Sequence, residues 1–589
     1  MSGYRGFAEW QVLGVTEVLL NQNPAISRQL RYGEPFRKEN PPVMQRKTLP
    51  LLSSAVLISM VAGCGEASFP NLPSTGPISI PLPGNNGSIT FPGFDGSNPP
   101  VTSKPGDQAP PVAAQPPTLT PGASGIKVFV NETLHPASSF VLATNRNHVE
   151  EYFPNGAAKL EKLKELRPNW GGARYMYRIG HGPTDGRHDY NYMTGYHFEK
   201  HWNKNGGYPY DDIRNALKEA NTLDAEQLHV INFGTGSAEE AGRYVSYLNN
   251  PNDANRAKYP YPVQNAKFFE IGNEISWSKV RGHKEYASTE IKYATRAKQF
   301  AQAMRKASPV PIQIGAVAST NSNWMGEGWA QKGQGVKNIL QTMGDDVDFL
   351  IYHGYPSWPM ANKGGDKMTI MAQNAWNDRL LTNEIVPAIK QYGKKGTYIA
   401  NTEFFTEMYN DVKSARGMFG ALYSADTLTL AFKHDIRIAN QFCIDHKDMA
   451  DASFFVGNDP NAVTPIFMFN KMLAKAWGDT VVKVEGQAIP SIHVKGPSDS
   501  IDMPKLAFTA SKGRDGKVYV MVTNRTNDSD VTSNVALGFT PKAVTAHVLK
   551  GSNGWASDHT NTSVTTQPAN LGSAYTFPKA SVTIFEITP

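Results

Sequence analysis

Cysteine is nearly absent: two residues in 589, Cys64 and Cys443. A chain this long with so few thiols cannot be a disulfide-stapled scaffold or a cysteine-ligated metal protein. Dense blocks of one charge are also missing. The net charge of +6 is spread thinly, and no Lys/Arg cluster is concentrated enough to track a phosphate backbone, so nucleic acid is excluded as a partner. Apolar runs long enough to cross a membrane as a helix are lacking as well. What the chain does have is 40% hydrophobic and 10% aromatic residues, enough for more than one true core.

The most apolar stretch lies near the start, in "MQRKTLPLLSSAVLISMVAGCGEAS". Arg46 and Lys47 form a basic n-region, residues 49–60 an apolar h-region, and Val61-Ala62-Gly63-Cys64 closes it. That ending resembles the lipobox of bacterial lipoproteins, which implies lipidation of Cys64. The expectation is a signal peptide over 44–64, translation from Met44, and residues 1–43 outside the mature protein. Export and a lipid anchor on a bacterial membrane, at the cell surface or facing the periplasm, would follow. Cys443 would then be a small buried apolar residue. Residues 65–125, rich in Pro, Gly and Ser, read as a disordered tether.

Beyond the tether, strand-like runs alternate with helix-like ones: "SFVLATN", "ARYMYRIG", "QLHVINFGTG", "KFFEIGNE", "IQIGAVAS", "VDFLIYHGYP", "TYIANTEFF" and "IRIANQFCI". About eight strands with intervening helices predict an α/β fold, a (β/α)8 TIM barrel over 126–478. From 479 to 589 the runs are β-branched and lose helical periodicity, which predicts an antiparallel β-sandwich.

Barrel enzymes carry their chemistry at the C-terminal ends of the strands. The run "FFEIGNEISW" breaks from apolar residues into Asn273-Glu274, and "YIANTEFF" ends in Glu403. Two strand-end carboxylates facing each other across a barrel mouth suit glycosidic cleavage, in which one protonates the leaving oxygen and the other attacks the anomeric carbon. A surface strand end is the plainer explanation for either glutamate alone. Glu270, inside its run, and Glu407, past the end of its own, are weaker candidates.

These segments resemble the clan A glycoside hydrolases, and most of all the α-L-arabinofuranosidase family. Besides "FFEIGNE", the similar stretches are "NFGTGSAEEAGRYVSYLNNP", "ALYSADTLTLAFKHDIRIANQF", "TPIFMFNKMLAKAWGDTVV" and "YTFPKASVTIFEI", running from about residue 215 to the C-terminus. The resemblance implies a retaining mechanism with Glu274 as general acid/base and Glu403 as nucleophile, their carboxyls ~5 Å apart. It implies that Asn273 binds the sugar's 2-hydroxyl. It also calls for an arginine near the nucleophile, for which Arg178 is the first choice and Arg167 and Arg174 the alternatives. His353 and Tyr355 would orient the nucleophile. Asn232, Trp277 and Trp358 join Arg178, His353 and Tyr355 as substrate-binding candidates, and Phe404 and Phe405 are either stacking platforms or core. The family's sugar-gripping glutamate on the first strand has no counterpart; Asn145 and Asn147 stand there instead.

The sequence therefore predicts a retaining hydrolase of carbohydrate, with no cofactor implied because two carboxylates and water suffice. An endo-acting β-glycanase or β-xylosidase of the same clan, or a non-catalytic carbohydrate-binding lipoprotein, remain as alternatives. His181, His188, His197 and His201 crowd one segment and His197/His201 have i, i+4 spacing, but in "HFEKH" the Glu is misplaced for the zinc motif, and polar loop histidines explain the cluster more simply.

Overall fold

The computed structural model describes residues 78–81, 88–91, 114–146, 156–172, 174–179, 212–258, 265–275, 283–318, 332–356, 366–406, 408, 411–444, 454–457, 459–496 and 499–589. The chain divides into two units, 1–95 and 96–589. In the first, Ile78–Pro81 pairs antiparallel with Ser88–Phe91. This strand pair departs from the expected structureless tether: "ISIP" and "SITF" both carry β-branched residues. The tract also ends earlier than residue 125, since the Gln115 amide donates to the Gly538 carbonyl at 2.8 Å. Among the described residues no helix is long and apolar enough to cross a membrane. The signal segment and Cys64 lie outside the described residues.

In the second unit eight parallel strands close into a barrel. In chain order they are β1 (Ala143–Arg146), β2 (Met176–Ile179), β3 (Glu226–Ile231), β4 (Phe268–Ile271), β5 (Gln313–Val317), β6 (Phe349–His353), β7 (Tyr398–Phe404) and β8 (Ile436–Gln441). Each pairs with its sequence neighbours, and β8 closes on β1 through Asn440↔Ala143. The TIM barrel stands as the sequence predicts. Helices pack outside it and start where their caps dictate. Ser237 Oγ, for example, accepts from the Glu240 amide and opens Ala238–Asn249. His229 on β3 is buried between Tyr244 Oη and Gln227 Oε1, and burial pushes its pKa down to about 3, so the imidazole is a neutral part of the packing.

The sheet region corrects one boundary. Residues 126–136 fall inside the expected barrel domain, but the strand Gly125–Pro136 pairs with Thr480–Gln487, so the nine-stranded sheet takes a strand from before the barrel as well as those after it. The chain passes from that strand into β1 through one 3-10 turn, Ser139–Val141. The sheet is antiparallel except where Asn534–Ala536 runs parallel to Gly125–Lys127. Tyr575 lies on the strand at one edge, yet its ring is 4.9 Å from that of Phe585, six strands away in the hydrogen-bonded order. Six flat strands would separate them by roughly 29 Å. The sheet must therefore curl over itself, enclosing Val128, Val482, Val520, Val522 and Phe585 as a second core.

Barrel and sheet share the helix Met418–Lys433, which is buried at every position from Met418 to Phe432, as expected of a helix apolar on all sides. Its one acid, Asp426, accepts from Arg525 Nε (2.9 Å) and Nη2 (2.5 Å) of the sheet region. Burial raises the Asp426 pKa and Arg525 opposes that rise. Arg525→Ala would strand a buried carboxylate, and a loss of about 3–5 kcal/mol is expected in urea unfolding at neutral pH. Because the folded-state pKa of Asp426 would rise further without its partner, the deficit should shrink as pH falls and the acid takes up a proton. A deficit below about 1 kcal/mol at neutral pH would mean the pair does not hold the two regions together.

Candidate active site

β4 ends in a sharp bend. Gly272 has φ +82°, and a Cβ there would come within 2.5 Å of the Ile275 side chain. Glu274 itself has φ +44°, a region that residues with side chains seldom adopt and that clusters at functional sites. The bend leaves the Asn273 and Glu274 side chains buried within the barrel mouth, at 0% and 4% exposure. Opposite, β7 places Glu403 at 3% exposure.

The two carboxylates meet through β6. His353 Nδ1 lies 2.8 Å from Glu274 Oε1 and 3.6 Å from Glu403 Oε2. One ligand-type atom from each of Glu274, His353 and Glu403 falls within 4.8 Å of the others. Glu403 is also held at both oxygens: Arg178 Nη1 donates to Oε1 at 2.7 Å, and Tyr355 Oη donates to Oε2 at 2.8 Å. Such a trio has the spacing of a metal site, but hydrogen bonds account for it. Both Glu403 oxygens face donors, one of them cationic, and the imidazole nitrogen faces Glu274.

Arg178 is fully buried. Besides Glu403 it donates to Asn145 Oδ1 (2.8 Å), to Asn273 Oδ1 (2.7 Å), and to Glu270 through Nε (2.9 Å) and Nη2 (2.7 Å). Burial works against its charge, but Glu270 and then Glu403 outweigh that and hold the guanidinium protonated above the usual arginine range. Asn145 is engaged at both ends, since its Nδ2 donates to the Thr402 carbonyl at 2.9 Å. Asn273 Nδ2 is buried with no hydrogen-bond partner among the described residues.

The sequence-derived candidates divide accordingly. Glu274, Glu403, Asn273, Arg178, His353 and Tyr355 come together in one buried cluster. Three readings change. Arg178 meets only protein acceptors, so it is a scaffold for the carboxylates and Asn273 instead of a substrate ligand. His353 bonds most closely to Glu274, with Tyr355 the nearer partner of Glu403. Asn232 caps its own turn: its Oδ1 accepts from the Thr235 and Gly236 amides at 3.0 and 3.1 Å, which explains the residue without a sugar. Arg167 and Arg174 pair with Asp224 and Glu226 away from the cluster, before β2 begins. Phe404, Phe405 and Cys443 are core. Trp277, Trp358, Asn147, Glu407 and the four clustered histidines lie outside the described residues.

Sequence reasoning undervalued Glu270. Its signal was a charge inside an apolar strand, matched by Arg178 inside "YMYRIG". Two opposite charges on buried barrel strands must find each other or stay unpaired at high cost.

No family profile matches the chain. Among curated proteins it is similar to the "Probable alpha-L-arabinofuranosidase C" of Aspergillus clavatus, at 24% identity over 344 residues, and to that of Aspergillus niger, at 24% over 347. Each match takes in 54% of this chain and 65% of the relative, so the chain spans just under two thirds of the curated relatives it matches. Among solved structures, the α-L-arabinofuranosidase of Thermotoga maritima in complex with arabinose superposes with a TM-score of 0.61 at 20% identity, covering 79% of this chain and 99% of that one. The family 51 α-L-arabinofuranosidase of Bifidobacterium longum gives 0.61 at 15%, covering 80% and 100%. CelM2, a bifunctional glucanase-xylanase from a metagenome library, gives 0.51 at 13%, covering 79% and 99%. These likenesses establish the fold: a TIM barrel with its attached sheet region.

Proposed function

We propose that the protein is a retaining glycoside hydrolase of the α-L-arabinofuranosidase type. The observation that carries this reading is the approach of Glu274 and Glu403, whose nearest ligand-type oxygens lie within 4.8 Å across the barrel mouth. That spacing suits direct attack by one carboxylate, whereas an inverting pair stands roughly 6.5–9.5 Å apart to admit a water. Glu403, an anion between Arg178 and Tyr355, attacks the anomeric carbon. Glu274 protonates the departing oxygen and then takes a proton from the water that releases the sugar. His353 holds Glu274 in place. The unpartnered amide of Asn273 donates to the sugar's 2-hydroxyl, a bond that tightens as charge develops at the ring.

Arabinofuranoside is the preferred substrate because the relatives at 24% identity carry that name, and the Thermotoga maritima protein holds arabinose. The glucanase-xylanase likeness at lower TM-score supports an endo-acting glycanase as the second reading. A panel of aryl α-L-arabinofuranosides, β-xylosides and β-glucosides, run beside arabinan and xylan, separates the two. Turnover of the arabinofuranoside with retained configuration in the first product, followed by NMR, is the expected result. Inversion, or no hydrolysis of any glycan, would remove the proposal.

We also propose anchoring through Cys64, supported by the order of basic, apolar and Val-Ala-Gly-Cys segments. Expressed in a bacterium fed labelled palmitate, the protein should take up label and Cys64→Ser should not. Equal labelling of both would reject the anchor.

A further inference from the structure

Arginine has five donor hydrogens, and Arg178 directs them at five acceptors. Two meet the two oxygens of Glu270, one meets Asn273, one Asn145 and one Glu403. No donor is left over for a sugar. Whatever Arg178 does for the reaction it does through the groups it holds, and these include the nucleophile at its Nη1 end and the 2-hydroxyl ligand at its Nη2 end. Guanidinium is planar, so fixing the plane places both ends at once. Glu270 is the group that fixes it, by a two-point carboxylate contact with neither side chain exposed.

We propose that Glu270 is a positioning residue for hydrolysis: through Arg178 it sets Glu403 and Asn273 in register and balances the guanidinium charge that would otherwise bear on Glu403 alone. The proposal rests on the hydrolase reading above. The charged and titratable groups concerned come from each packed element. Glu403 is faced by Arg178 from β2, by His353 at the end of β6, by Tyr355 two residues past it, and by Glu274 beyond His353. Glu270 is faced by Arg178 and, from the helix Glu290–Ala307, by Tyr293, whose hydroxyl donates to the Ile271 carbonyl at 2.8 Å.

Charge and geometry can be separated with two variants. Glu270→Gln keeps the volume but removes the charge and sets its amide nitrogen against an Arg178 donor, loosening the two-point contact. Its kcat should fall about 10²-fold, as for a misplaced reacting group, with KM changed less than about threefold because the lost interactions belong to the transition state. The uncompensated guanidinium would also favour ionised Glu403, moving the acidic limb of the kcat/KM profile down by about one pH unit. Glu270→Asp keeps the charge and shifts the contact: its kcat should drop while the limb stays. A merely structural role would lower the active fraction and scale every rate without moving a limb. An unmoved acidic limb in Glu270→Gln, or failure of both variants to fold, overturns the proposal. If wild type turns over and Glu403→Gln does not, a wild-type profile in Glu270→Gln sinks this inference alone. An inactive wild type sinks the hydrolase reading first.

Discussion

Glu403→Gln should abolish turnover, with kcat/KM on the best aryl glycoside reduced by at least about 10⁴-fold, as when the nucleophile of an enzyme acting through a covalent intermediate is removed. Glutamine nearly matches glutamate in volume, so the buried pocket stays filled. It fails on chemistry. An amide oxygen is too weak a nucleophile to form the glycosyl-enzyme bond, and the amide cannot accept from both Arg178 Nη1 and Tyr355 Oη as the carboxylate does. An unchanged circular dichroism spectrum should accompany the lost activity. A folded variant retaining a tenth or more of wild-type rate would show that position 403 is not the attacking group.

The second large effect belongs to Glu274 and depends on the leaving group. Glu274→Ala should cost about 10²–10⁴-fold on substrates whose departing alcohol needs a proton. An aryl glycoside with a strongly acidic phenol leaves unaided, so its bond-breaking step should be far less impaired. With no base to activate water, the glycosyl-enzyme should accumulate and give a burst. Azide, small enough for the space vacated by the side chain and needing no deprotonation, should restore turnover and yield a glycosyl azide of retained configuration. Equal losses on both kinds of substrate, with no azide product, would mean that Glu274 acts on the fold and not on the proton. Its backbone at φ +44° makes that comparison informative, because side-chain truncation leaves the unusual backbone requirement in place.

Much of this was readable from the chain. The eight strand runs were identifiable because buried parallel strands are continuous apolar segments, and the pair of glutamates stood out because each interrupts one at its C-terminal end. Arg178 stands on "YRIG", where the family resemblance calls for an arginine, and Tyr355, at the end of "FLIYHGYP", reaches Glu403. Three assignments needed coordinates. Asn232 looked like a site residue by its position at a strand end, but its own turn consumes its hydrogen bonds. His353 Nδ1 stands 2.8 Å from Glu274 and 3.6 Å from Glu403, a preference strand order does not specify, because it tells which residues share the mouth and not which of two carboxylates a ring nitrogen faces more closely. Residues 126–136 belong to the sheet and not to the barrel, a placement set by the strand they pair with, which no local pattern specifies.

By itself, the sequence determined the barrel, the sheet region and the identity of the two strand-end glutamates, because periodicity and strand-end chemistry are local properties written over a few residues. Only the tertiary structure decided that Glu270 locks Arg178, and that one guanidinium ties β1, β2, β4 and β7 together. Those contacts join residues 33 to 225 positions apart, and no local pattern specifies which buried charge a given arginine will meet.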